Sequence, residues 1–527
     1  MTGSAVLGGR GVTLARLAVI FLVIVGLFLL RDTWFPKAEE AYNKHVGDTK
    51  WSHGNHQDHE PSNKEAWEDS KARPVIPGTA LEQPQHLDTS TVGQHPESPS
   101  APETPNALPH YKLGDSSVAH KNKAECLHLP GADKVLVMLK TGATELYQKL
   151  PTHFVTTFQC VPNFNIYSDL EQSFGDVPIY DAIKPVSKKI REEHEDFQLY
   201  REIQKWEREG QDLGKLQGDS GWNLDKWKFL PMLHHAFETA ADSIEWFVMI
   251  EADTSISWLN LLMYLKTMDP KKPYYLGAQN VIGDTTFAHG GSGIVISREA
   301  ADVLEAARYN AGKELYDEKW EEQTALSCCG DGIVAEAFMA VEIPLTRAWP
   351  LIQGETINTV DFTDNHWCTP PVTFHHVTPI EVDNHWKFEK AWTDKHGWQE
   401  PYLFRDIFEH FLAQHVSVNR THWNNLSSRE KFVRPDLATT KDKPFEELEL
   451  YEQKSIESPE LCAAACMKKD DQCIQWMHTS GRCHLGRDIR LGKSDERENE
   501  HWECGWMPER IAAFKKKWEG CEIRWAG

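Results

Sequence analysis

Short unbroken apolar runs punctuate the middle of the chain. Val135-Leu136-Val137-Met138-Leu139 is one, Phe164-Asn165-Ile166-Tyr167 a second and Trp246-Phe247-Val248-Met249-Ile250 a third. Runs this short without polar alternation predict strands buried on both faces, as in a parallel sheet covered by helices. Residues 144–154 have helical spacing, so the first two strands read as a β-α-β unit. Further helices are predicted over 225–241, 298–309 and 333–340. The pattern predicts an α/β core, in which ligands sit beyond the carboxyl ends of strands. Lys140, Thr141, Ser168 and Asp169 occupy such ends.

Outside this core the pattern changes twice. Residues 11–31 hold the one long apolar stretch, GVTLARLAVIFLVIVGLFLL with Arg31 after it, enough for a bilayer span. It reads as an uncleaved signal anchor behind a cytoplasmic tail at 1–10, with a cleaved signal peptide as the alternative. Residues 32–122 are polar and rich in Pro, His, Ser and Glu, the composition of a flexible stem. A globular domain is expected over 123–442 and a Cys-rich module over 443–527.

Composition narrows the function. Lys+Arg is 56 against Asp+Glu 79, a net charge of -23, and the pI is near 5.5. That balance speaks against nucleic-acid binding, and a mean hydropathy of -0.53 against a polytopic membrane protein. The anchor would place the remainder in an oxidising lumen. The 11 cysteines agree with that, as do two glycosylation sequons at Asn419 and Asn425.

Four signals carry the chemistry. Glu251-Ala252-Asp253 ends the third strand and offers two carboxylates to one divalent cation. His289-Gly290-Gly291-Ser292-Gly293 is a glycine-rich turn that allows close backbone approach to a ligand. Asp331, in Cys328-Cys329-Gly330-Asp331-Gly332, opens a helix. Thr373-Phe374-His375-His376-Val377 places imidazoles on a short strand. Taken singly, each has an ordinary structural reading: an acidic loop, a tight turn, a helix cap and a packed histidine.

In this order and spacing, over roughly 126–400, they resemble glycosyltransferase family 31, in particular the core 1 β1,3-galactosyltransferases and the Fringe-like β1,3-N-acetylglucosaminyltransferases. That family has W-F-x-x-x-D-D-D at a strand end, a G-G-A-G turn, an acidic pair opening a helix and an S-F-H-x-V strand. Trp246-Phe247 leading to Glu251-Ala252-Asp253, Gly290-Gly291-Ser292-Gly293, Gly330-Asp331 and 373–377 are the counterparts. The resemblance implies a GT-A-type fold and an inverting transfer from a UDP-sugar to a glycan or glycoprotein acceptor. Asp331 would be the catalytic base, and Asp253 and His375 would hold Mn²⁺ or another divalent ion. Glu251, Gly291 and Lys228 join Lys140, Thr141, Ser168 and Asp169 as donor-site candidates. Two departures stand out: Ala252 replaces the middle acid and Gly330 the first of the pair. They leave open a lectin-like relative without turnover. Galactose onto a GalNAc-type acceptor is the first expectation and N-acetylglucosamine the second, in a single-pass type II Golgi membrane protein. Trp246, Trp349, Trp367 and Trp386 are either acceptor-cleft or core residues. Oligomeric state is not legible.

Cys462, Cys466, Cys473 and Cys483, followed by Cys504 and Cys521, read as a disulfide framework. The Cys-x3-Cys-x6-Cys spacing over 445–507 resembles a PAN/Apple module, a helix clamped on a small sheet. In the body, Cys126 is expected to pair with Cys160, and Cys368 with Cys328 or Cys329.

Overall fold

The computed structural model describes residues 125–216, 220–495 and 501–525. The expected tail, anchor and stem lie outside the described residues. Among the described residues, no helix is long and apolar enough to cross a membrane.

In chain order the first strands are β1 (Val135–Lys140), β2 (Phe164–Ser168), β3 (Gln172–Phe174), β4 (Val177–Asp181), β5 (Trp246–Glu251), β6 (Ser255–Ile256), β7 (Tyr275–Gly277), β8 (Gln279–Ile282), β9 (Thr285–Ala288), β10 (Ile294–Ser297), β11 (Leu345–Arg347) and β12 (Thr373–Phe374). An eight-stranded mixed sheet runs β11-β7-β10-β5-β1-β2-β4-β3. Its centre, β5-β1-β2-β4, is parallel, with Val137 opposite both Val248 and Phe164. Strand β10 is antiparallel to both β5 and β7. Every residue of β1 is buried. Val135, Val137 and Leu139 enter one apolar cluster with Leu146 and Leu150, whereas Leu136 and Met138 enter another with Phe229, Leu233 and Phe338. Alternate residues of a strand face opposite sides, so an unbroken apolar run is what a strand between two helical layers requires.

The helix expected over 225–241 is divided. Ser220–Asp225 is helical, Lys226–Lys228 is a 3-10 turn and Phe229–Thr239 is the main helix. Pro231 is the cause. It lacks the N–H that would bond to the Trp227 carbonyl, and its ring crowds that carbonyl, so an α-helical ladder cannot run through 227. In the first turn of a helix starting at 229, the same proline is tolerated. The break turns Asp225 and Lys228 toward the carboxyl ends of β1 and β5.

The later strands are β13 (Arg420–Thr421), β14 (Trp423–Asn424), β15 (Glu430–Val433), β16 (Gln475–Thr479), β17 (Arg482–Gly486), β18 (Lys493–Ser494) and β19 (Glu503–Trp506). Five of them form the antiparallel sheet β13-β19-β16-β17-β15. Cys462–Cys483 and Cys466–Cys473 anchor the helix Pro459–Lys469, the first of them to β17. Strands β13 and β15 precede residue 443, so this sheet extends across the boundary read from cysteine spacing. It also shares an apolar cluster with the body, in which Phe362, Trp367 and Phe404 meet Ile489, Trp506 and Ile511.

Cys126–Cys160 forms as expected, but the expectation for Cys368 is corrected. Cys368 bonds Cys521, and Cys328 bonds its neighbour Cys329. After the helix Pro508–Lys517 the chain returns to the body, where Phe514 packs edge-on against Trp367 and the Arg524 amide donates to the Cys368 carbonyl. The unpaired thiol is Cys504, buried in β19 and pushed up to about 12 by burial.

The two sequons differ in kind. Asn419 is exposed. Asn425 has no exposed surface, and its amide donates to the Trp476 carbonyl at 3.1 Å while its oxygen accepts from Ser427. Expression through a secretory pathway followed by glycopeptide mass spectrometry should find a glycan at Asn419 and none at Asn425. Asn425→Ala strands two buried acceptors and should cost ~1–3 kcal/mol of stability, read as a lower denaturant midpoint.

Candidate functional site

The candidate residues converge at the carboxyl edge of β1 and β5. Lys140 ends β1 with its ammonium group withdrawn from water. It pairs with Asp225 and, at 3.1 Å, with Glu251, and lies 4.4 Å above the Phe229 ring. Burial disfavours its charge, but the two carboxylates outweigh burial and raise its pKa. Lys228 is equally buried. It donates to the Thr141 carbonyl at 3.0 Å and pairs with Asp169 at 3.0 Å and Asp225 at 3.4 Å. Asp169 also accepts from the Ala143 amide at 2.7 Å, which ties β2 to the turn after β1.

The Ser168 hydroxyl turns back on its own chain, donating to the Leu170 carbonyl at 2.9 Å. Thr141 contributes its backbone carbonyl to Lys228, while its hydroxyl donates to Glu145 at 3.3 Å. Both therefore shape the loops rather than present a free side-chain donor.

A second group gathers around His375. Its Nε2 lies 3.5 Å from Asp253 and 3.8 Å from Glu251. Burial alone would keep this ring neutral, yet the two carboxylates outweigh it and raise its pKa to about 9. In return, and against the effect of burial, His375 holds Asp253 down to about 2, and Lys140 and His375 hold Glu251 well below the usual carboxylate range. Asp253, His375 and His376 present ligand atoms within 4.8 Å of one another, a set suited to one cation. The His375 Nδ1 is buried without a hydrogen-bond partner. Two imidazoles and a carboxylate form a donor set that fits a divalent transition ion.

Backbone contacts hold this group together. Thr254 Oγ1 donates to the Gly291 carbonyl at 2.7 Å, Thr373 Oγ1 to the Ser292 carbonyl at 2.7 Å, and the Val377 amide to the Asp253 carbonyl at 3.0 Å. Gly291 is required by space: a Cβ there would lie 2.2 Å from the His375 ring.

Asp331 stands on the other side of the same turn. It is almost fully buried near the start of the helix Gly330–Met339 and accepts from the Gly290 and Gly332 amides, each at 2.9 Å. Burial, together with the field of Glu251, outweighs those bonds and raises its pKa to about 6.

Both sequence departures have steric causes. A Cβ at 330 would lie 2.4 Å from the Lys226 carbonyl oxygen and 2.4 Å from Phe229, so no acidic side chain fits there. Ala252 joins the apolar cluster behind β5, and its carbonyl accepts from His153 at 2.8 Å. An acid at that position would be buried without a cation. Trp246 and Trp367 are core residues. Trp386 packs half-buried against the β1 cluster and Trp349 lies edge-on to His366.

Sequence reasoning missed Asp225, which bridges both buried lysines, and Lys149, which pairs with Asp253 at 3.2 Å. Asp225 was legible through Pro231, which fixes the break three residues after it. Lys149 carries no local signal beyond its place on the helix of the first β-α-β unit.

Two outcomes are expected. A cation bound at Asp253 and His375 must displace the His375 proton, so Mn²⁺ affinity, followed by electron paramagnetic resonance, should rise on the order of tenfold per pH unit. The rise should continue up to about pH 9 and then level off; a flat profile would remove His375 from the ligand set. Gly330→Asp should not improve any activity and should lower stability by ~1–3 kcal/mol through overpacking, read by thermal unfolding.

Residues 228–396 match the family model described as Fringe-like. No curated protein matches the chain. The matched stretch contains Lys228, Glu251, Asp253, Gly291, Asp331 and His375, and it supports a glycosyltransferase of family 31 type for this mixed α/β fold.

Proposed function

We propose that the chain is a GT-A-type, metal-dependent inverting β1,3-glycosyltransferase that moves galactose from UDP-galactose to a GalNAc-type O-glycan acceptor, with transfer of N-acetylglucosamine as the alternative. One observation carries this reading: a carboxylate with a pKa of about 6 and a cation-binding cluster face each other across the single turn Gly290–Gly291.

Asp331 acts as the base. The Gly290 and Gly332 amides fix the plane of its carboxylate and leave lone pairs for an acceptor hydroxyl. A base poised near the working pH is ionised and still able to take a proton. Asp253 and His375, with His376 beside them, hold the cation, which when bound offsets the charge of the departing diphosphate. Lys140 and Lys228 keep the surrounding carboxylates ordered and partly neutralised. Withdrawal of the site from bulk water strengthens each of these interactions.

A lumenal address, Golgi by preference, with a type II anchor is part of the proposal; the disulfides and the exposed Asn419 support it. The disulfide-clamped helix and its sheet are proposed as a PAN/Apple-like accessory that binds glycan or protein.

The test is UDP release from a panel of UDP-sugars with Mn²⁺, with and without a GalNAc-α-aryl acceptor. Acceptor-stimulated release from UDP-galactose is expected, falling about 10²–10⁴-fold in Asp331→Asn. In the wild type, kcat/KM should fall as pH drops below about 6, where Asp331 becomes protonated; the residual rate of the variant should lack that limb. Mn²⁺-dependent UDP binding without release from any donor would instead assign a lectin-like protein that has lost turnover.

A further inference from the structure

We infer that Lys149 is an exchangeable cation of the site, paired with Asp253 when no nucleotide is bound and with the diphosphate of the nucleotide when it is. This rests on the metal and donor site proposed above.

The site holds three lysines, and they differ in freedom. Lys140 and Lys228 are 2% and 3% exposed and are held by Asp225, Glu251 and Asp169, Lys228 also by a backbone carbonyl. An arriving diphosphate finds their protons already engaged. The side chain of Lys149 is 30% exposed, on the rim of the helix Leu146–Val155. It pairs with Glu145 one turn earlier at 2.7 Å and with Asp253 at 3.2 Å.

The two oxygens of Asp253 are divided between cations. Oδ1 faces His375 and Oδ2 faces Lys149. A divalent ion taken on Oδ1 beside His375 meets the repulsion of the Lys149 ammonium held on Oδ2 of the same carboxylate. An ion pair open to solvent on one side is weak, and a lysine ammonium is a point charge on a flexible stem, so the partly exposed Lys149 yields. The diphosphate held at the same ion is then the nearest strong anion without a fixed cation. Glu145 keeps the released ammonium at the rim. The residue thus opposes the cation when no nucleotide is present and supports the nucleotide once the cation is bound.

Those roles have opposite signs, which makes the inference testable on the lumenal protein by binding alone. Lys149→Met should tighten Mn²⁺ binding several-fold without nucleotide, by electron paramagnetic resonance. At saturating Mn²⁺ it should weaken UDP binding by roughly tenfold, by calorimetry. Lys149→Gln should behave as the Met variant does, and Lys149→Arg should keep both values near wild type. A structural role would weaken both in the Met and Gln variants, and that result, or no change in either, overturns the inference. Wild-type protein that binds Mn²⁺ and UDP alongside unaffected variants rejects Lys149 alone. Wild-type protein that binds no Mn²⁺ rejects the metal site and this inference with it.

Discussion

An ammonium group withdrawn from water at the end of the central strand has to be matched by anions, and that requirement organises the site. Lys140 lies where β1 runs out of backbone partners, under the face of Phe229. Its two carboxylates come from separate elements: Glu251 from the end of β5, and Asp225 from the short helix before the Pro231 break. Removing either would leave a buried charge poorly compensated, a loss of several kcal/mol in comparable cases (~3–5). The positions of the entry helix, β5 and β1 are thereby fixed to one another. Lys228 repeats the arrangement one layer away with Asp225 and Asp169. The carboxylates nearer solvent inherit a geometry set by cations beneath them.

The same accounting of charge explains why the cluster at Asp253 suits a divalent ion. Glu251 and Asp253 lie close together on either side of the His375 Nε2, and their charges favour the protonated ring. A proton on an imidazole supplies one unit of charge; a divalent ion at that point supplies two and can also coordinate phosphate oxygens. The His375 ring is held by its Nε2 contacts to Asp253 and Glu251 and by close packing on Gly291, which leaves Nδ1 without a partner. Its orientation therefore depends on the absence of a side chain at 291, and through Thr254 on the turn that carries Asp253.

The sequence revealed what depends on periodicity and local composition. The apolar runs of β1, β2 and β5 announced a two-faced parallel core because burial on both sides leaves no room for alternation. The order of acid, glycine turn, acid and histidine announced the site residues, since strand ends and turns lie where local patterns change. Long-range pairing was less visible. Nothing near Cys368 points to Cys521, and the choice is made by Phe514 packing on Trp367 at the end of a helix more than a hundred residues away. Strands β13 and β15 were hidden because short edge strands carry little pattern, and the module was placed from its cysteines alone. The Asn425 sequon looked like a surface mark until its amide was found serving two carbonyls of the central strands.

The departures from the resembled pattern are packing solutions rather than gaps. The space beside position 330 is taken by the Lys226 carbonyl and by Phe229, the ring over which Lys140 is seated. The glycine at 330 and the buried lysine thus belong to one packing solution. Ala252 is likewise the residue its apolar surroundings require, while the carboxylates on either side keep their cations. Asp331 accepts from two backbone donors, and burial raises its pKa to about 6. Lys140 and Lys228 are balanced by Asp225, Glu251 and Asp169. Asp331, Asp253 and His375 thereby stand around the one turn Gly290–Gly291, where the proposed chemistry would be centred.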